Sequence, residues 1–210
     1  MSELVVAAVD VGAVGNIGYW RDSSDGSVGG TKLEELATQV ASDLDLGRRV
    51  ALGFEAPLFI PMPDDSDGLN RQRTGERGRP WCAGAGTGAL AMGAQQATWL
   101  LSRIARTTQD RPQITVDCDD FARTGGLLLW EAFVSAAGKD RSAIDPHIDD
   151  ARRAVLECRS RLSGPAPLSD ITDSSVFSLI GAAALAAGLS DDLNLLTQPC
   201  LVVRVPDLAK

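Results

Sequence analysis

The chain has a single histidine, a single tyrosine and only four cysteines among its 210 residues. One histidine, His147, argues against a structural zinc site. Cys82, Cys118, Cys158 and Cys200 lie far apart in sequence, so neither a zinc-ligand pair nor a disulfide framework is indicated. Reduced thiols in a cytosol fit that usage best. Long apolar runs are missing too. Val176 to Leu189 is the most apolar later stretch, and it falls short of the roughly 20 residues that span a bilayer. Met1-Ser2-Glu3-Leu4 carries no basic flank, and Leu4 to Val9 is shorter than a signal core. These absences predict a cytoplasmic protein with no membrane partner. Positive charge is also in deficit: 20 Lys and Arg against 28 Asp and Glu give a net charge of −8. That argues against a broad basic surface for nucleic acid and leaves only a local patch.

What remains is a chain suited to one domain, residues 1–210, with enough apolar surface to build a core without staples. Leu4 to Val9 is rich in β-branched residues and ends in Asp10-Val11-Gly12, which predicts a buried central strand. Gly15 to Arg21 reads as a second strand. The turn signals Asp25-Gly26 and Gly29-Gly30 complete a hairpin or meander. Thr31 and Glu34 have capping-box spacing ahead of Leu33, Leu36, Ala37, Val40 and Leu44. Arg49 to Phe54 is a further buried strand, leading into Glu55-Ala56-Pro57. Helices are predicted over 88–106, 150–162 and 174–189, and strands at 113–116, 127–134 and 201–203. Residues 61–87 form a long insertion rich in Pro, Gly, Asp and Arg. Residues 63–83 within it are expected to be the most mobile internal stretch. The fold class is α/β.

Acids stand where acids are costly. Asp10 closes one apolar strand, Glu55 follows another, and Glu131 interrupts Leu127-Leu128-Leu129-Trp130 and Ala132-Phe133-Val134. Asp170 and Asp173 precede the most apolar helix. Each has an ordinary explanation: a turn, a wet strand end, an edge strand, an N-cap. Taken together, acids at the ends of adjacent strands converge on one sheet edge, and a helix across that edge can add another. Lys and Arg are scarce in the neighbouring sequence, so a divalent cation is a reasonable partner for buried carboxylates.

This order of elements resembles the ribonuclease H-like superfamily. It has a strand with Asp, a meander, a helix, a strand ending in an acid, and a late helix carrying Asp. Glu55 and the Asp170/Asp173 pair resemble the acids of RuvC-type resolvases. The Asp-x-Gly-like start, Ala51 to Pro57 and Glu131 resemble a predicted-nuclease family of the same superfamily. The resemblance implies a mixed sheet flanked by helices and Mg- or Mn-dependent cleavage of nucleic-acid phosphodiesters. Asp10, Glu55 and Asp173 would hold the metal, with Asp170 and Glu131 as further catalytic acids. Two other functions fit the same pattern: a non-catalytic binding protein of this fold, and a phosphotransferase of the actin-like and sugar-kinase superfamily.

Arg71, Arg73, Arg77 and Arg79 cluster in the insertion with Trp81 close behind. Arginines beside an aromatic suit phosphate contact and base stacking, and a loop balanced by Asp64, Asp65, Asp67 and Glu76 is the plainer explanation. Gly84-Ala85-Gly86-Thr87-Gly88 reads as a flexible entry to a helix, and His147 as a surface residue.

Overall fold

In β1 (Leu4–Asp10) every residue after Leu4 is buried, and this strand is the axis of the molecule. β2 (Gly18–Ser23) pairs antiparallel with β1, and β3 (Gly26–Gly30) continues the meander. α1 (Leu33–Asp45) crosses over to β4 (Arg49–Phe54), which lies parallel to β1 on its other side. The chain continues through β5 (Phe59–Pro61), α2 (Ala85–Thr107), β6 (Ile114–Thr115), α3 (Cys118–Thr124) and β7 (Leu127–Phe133). α4 (Pro146–Leu162), β8 (Val176–Ser178), α5 (Leu179–Ala186) and β9 (Leu201–Arg204) complete it. In this computed structural model, residues 2–76, 80–134, 139–140, 142–164 and 167–207 are described. The result is a mixed α/β sheet of seven strands in the order β3-β2-β1-β4-β7-β6, with β9 also on β7, flanked by helices. A small antiparallel pair, β5 and β8, stands apart.

Both faces of the sheet are covered, and strand alternation divides the core in two. Val5, Ala7 and Val9 pack with Leu36, Val40, Leu100, Leu101 and Ile180 under α1, α2 and α5. Val6 and Ala8 pack with Phe121, Ala154, Val155 and Cys158 under α3 and α4. In the parallel ladders Val9, Phe54 and Glu131 sit in register, so all three face the α1/α2/α5 side. Asp10 and Glu55 are each one residue further on and turn to the α4 side.

Several sequence expectations shift. The apolar segment 174–189 is a strand and then a shorter helix, because Val176 and Ser178 pair with Pro61 and Phe59 before the chain coils. α1 has Lys32 at its N-cap, and Thr31 does not cap it. α4 begins at Pro146, four residues earlier than its apolar periodicity predicts. The Asp145 side chain caps it and Pro146 occupies the first turn. Glu131 is not on a solvent-facing edge strand: β7 is interior, and the carboxylate is 1% exposed. The insertion is tied down as well. Arg73 and Glu76 within it are buried, since the Arg73 guanidinium threads under the loop to Glu131. A loosely solvated segment would not bury either charge.

Candidate metal centre

Asp10, Glu55 and Asp150 each present a carboxylate oxygen within 4.8 Å of the other two. Three elements bring them together. Asp10 ends β1 on the α4 side. The Glu55 N–H extends the ladder by donating to Val9 O at 2.8 Å, which carries its side chain to the same side. Asp150 comes from the first turns of α4, whose start lies directly on β2. A Cβ at Gly18 would stand 2.3 Å from the His147 carbonyl carbon and 2.5 Å from the Ile148 nitrogen. Gly18 is the register partner of Asp10, so the absent side chain is what lets the helix start come this close to Asp10.

The cluster is held by one lysine and one histidine. Lys139 Nζ donates to Asp150 Oδ2 at 2.6 Å and to Glu55 Oε1 at 3.0 Å, and lies 3.8 Å from Asp10 Oδ1. His147 Nδ1 lies 2.5 Å from Asp10 Oδ2. Burial, and then the Asp10 carboxylate, push the Glu55 carboxyl well above the usual carboxylate range, and Lys139 pulls the other way. Burial raises Asp150 too, again opposed by Lys139. Burial works against the charge on Lys139, but the carboxylates of Glu55 and Asp10 outweigh it and hold its pKa above the ordinary value.

Two oxygens of the cluster, Glu55 Oε2 and Asp150 Oδ1, are buried without a hydrogen-bond partner. Buried carboxylate oxygens are normally paired, and an orphan needs an explanation such as an ion. The donor set is wholly carboxylate, which suits Mg²⁺ or Mn²⁺ and not a soft metal. The residues therefore fit a hard divalent cation. Beside Glu55 a small recess of about 60 Å³ opens, lined by Pro57, Gly86, Ala89, Glu131, Phe133 and Val134.

Of the acids the sequence singles out, Asp10 and Glu55 meet, and the others do not join them. The place expected for Asp173 is taken by Asp150. Asp173 accepts from the Thr74 N–H at 2.6 Å and from Thr74 Oγ1 at 3.1 Å, and pairs with Arg71 Nη2 at 3.0 Å. Its role is to pin the insertion. Asp170 accepts from the Arg204 N–H at 2.7 Å and pairs with Arg161 at 2.6 Å. Glu131 accepts from the Leu58 N–H at 2.8 Å and from both Arg73 terminal nitrogens at 2.7 Å. It is a buried anchor on the opposite face from Asp10 and Glu55.

The arginine patch is reduced accordingly. Arg73 has no exposed side-chain surface and is closed in by Glu131 and Glu76, so it cannot reach a phosphate. Arg71 is 42% exposed but paired with Asp173. Trp81 donates its Nε1–H to the Arg71 carbonyl at 2.9 Å. Arg77 and Arg79 lie outside the described residues. Asp150, Lys139 and His147 belong to the site although sequence reasoning does not single them out for it. Asp150 sits in an acidic, polar helix start, Asp145 to Asp150, where carboxylates are ordinary, and nothing local marks it. Among the described residues no helix is long and apolar enough to cross a membrane. No family model, curated protein or solved structure matches the chain.

Proposed function

We propose that the protein is a metal-dependent hydrolase of nucleic-acid phosphodiesters, built on a ribonuclease H-like plan with Asp150 as the helix-borne acid. The observation that carries this reading is the convergence of Asp10, Glu55 and Asp150 with two orphaned buried oxygens. The strand order β3-β2-β1-β4-β7, antiparallel only in its meander, is consistent with that plan.

Asp10, Glu55 and Asp150 would hold the ion. When bound it supplies Lewis-acid stabilisation of the phosphoryl oxygens and a water of lowered pKa. The chain's own residues do the rest. His147 fixes the Asp10 carboxylate through Nδ1. Lys139 holds Glu55 and Asp150 in one orientation and offsets part of their mutual repulsion. A small recess lined by Glu55, Glu131, apolar groups and the start of α2 borders the cluster. In the reaction a water oxygen forms a new P–O bond as one ester P–O bond breaks, and the departing oxygen takes up a proton.

A specific observation favours a second reading. Lys139 already spans the three carboxylates, as it would if the cluster were a structural clamp in a non-catalytic protein. Cleavage assays separate the two. Purified protein with Mg²⁺ or Mn²⁺ should cut RNA, DNA or a hybrid, and Asp10→Asn should abolish cutting while leaving the fold intact. Absence of cutting on every substrate with either metal refutes the hydrolase reading.

A further inference from the structure

The six oxygens of the cluster divide into two sets. Asp150 Oδ2 and Glu55 Oε1 are engaged by Lys139, and Asp10 Oδ2 by His147. Asp150 Oδ1 and Glu55 Oε2 are buried and unpartnered. Asp10 Oδ1 lies beyond hydrogen-bonding reach of the lysine, at 3.8 Å. Glu55 and Asp150 therefore each have one oxygen committed to Lys139 and one buried without a partner. Asp150 is itself 2% exposed, so its free oxygen is not satisfied by bulk water.

The charges divide the same way. In the form that binds an ion, with all three carboxylates ionised, they carry a formal −3, and the Lys139 ammonium leaves −2. One divalent ion completes neutrality, and a second would leave the centre with a net positive charge that no further described acid in the cluster offsets. The arrangement used for two-ion phosphoryl transfer sets its cations roughly 3.5–4 Å apart on shared carboxylates. Here one of those cations is covalently part of the chain.

We infer that the centre takes a single divalent ion, Mg²⁺ or Mn²⁺, and that Lys139 is its second, tethered cation. This rests on the hydrolase reading of the same site. The ion uses the free oxygens of Asp150 and Glu55 together with Asp10, and Lys139 keeps its own oxygens while the ion is bound. The lysine is thus a positioning residue that sets ion stoichiometry. It does not compete with the ion for ligands.

Calorimetric titration of the full chain with Mn²⁺, read with electron paramagnetic resonance, tests this. Wild type should bind one ion and give an isolated Mn²⁺ signal. Lys139→Arg keeps the charge and should also bind one. Lys139→Met removes it, and the centre should then bind two ions and give a spin-coupled signal. Two ions in wild type or in Lys139→Arg would overturn the inference and leave the hydrolase reading standing. A single ion bound more tightly by Lys139→Met would overturn it as well, because lysine and ion would then be competing. A single ion of unchanged affinity in that variant would also overturn it. No Mn²⁺ bound by wild type would overturn the metal-dependent reading beneath it.

Discussion

Replacing Arg73 with methionine should destabilise the whole fold without touching the metal centre. The guanidinium makes two 2.7 Å contacts to Glu131 and contacts of 3.0 and 3.2 Å to Glu76, with no exposed side-chain surface on any of the three residues beyond 1%. It also lies 5.0 Å from the centre of the Phe59 ring. Methionine fills much of the same volume but removes the positive charge. Glu131 and Glu76 would then be two buried carboxylates with no cation between them. Breaking one partner of a buried ion pair costs about 3–5 kcal/mol, far more than an exposed pair. For a chain of this size each kcal/mol moves the melting point by about 2–4 °C, so a fall of about 6–20 °C is expected. Differential scanning calorimetry and urea titration would measure it. At a temperature where the variant is still folded, Mn²⁺ affinity and the salt dependence of any nucleic-acid binding should match wild type. A loss below about 1 kcal/mol would show that the network is not the anchor described. A flattened salt dependence would show instead that Arg73 reaches phosphate.

Gly18→Val should drive the α4 start away from β1, because its Cβ would meet the His147 and Ile148 backbone. We expect about 1–3 kcal/mol of lost stability, as for other overpacked sites, together with weaker Mn²⁺ binding; an unchanged affinity would contradict the placement of Asp150. Acid should weaken the ion. Burial raises Glu55 well above its ordinary value and raises Asp150 as well, so protons compete with Mn²⁺ as pH falls through these raised values. The sign for the ion-free protein is the opposite. A raised carboxyl favours the folded state below its unfolded value, and that benefit is lost as pH rises through the folded one. Melting curves across pH should show Mn²⁺ stabilising more at neutral pH than at acid pH, and a stabilisation independent of pH would contradict these shifts.

Much of the frame is legible in the amino-acid sequence. Leu4 to Asp10 and Arg49 to Phe54 announce buried strands because both faces are apolar, and both are interior and parallel to one another. That same two-sided burial hides which way each acid points. With hydrophobic residues at every position, alternation cannot say whether Glu131 shares a face with Asp10. Only the register of Val9, Phe54 and Glu131 separates them. The scarcity of local Lys and Arg points to a metal as the partner of these acids. The chain instead brings Arg73 to Glu131 across 58 residues, and Lys139 to Glu55 and Asp10 from beyond β7. Contacts at that separation leave no trace in a sequence window. Sequence pattern favours Asp173 over Asp150 because Asp173 stands before an apolar helix, yet its partner is a loop residue, Thr74, 99 positions away.

The identity of the third acid tests the account most directly. Mn²⁺ binding to wild type, Asp150→Asn and Asp173→Asn should be compared by calorimetry under one buffer and pH. Wild type should bind. Asp150→Asn should bind roughly tenfold more weakly or worse, since even groups behind the ligands are worth about tenfold or more. Asp173→Asn should bind as wild type does, with a lower melting point from the loosened Thr74 and Arg71 contacts. Loss of binding in Asp173→Asn with full binding in Asp150→Asn would contradict the centre described here.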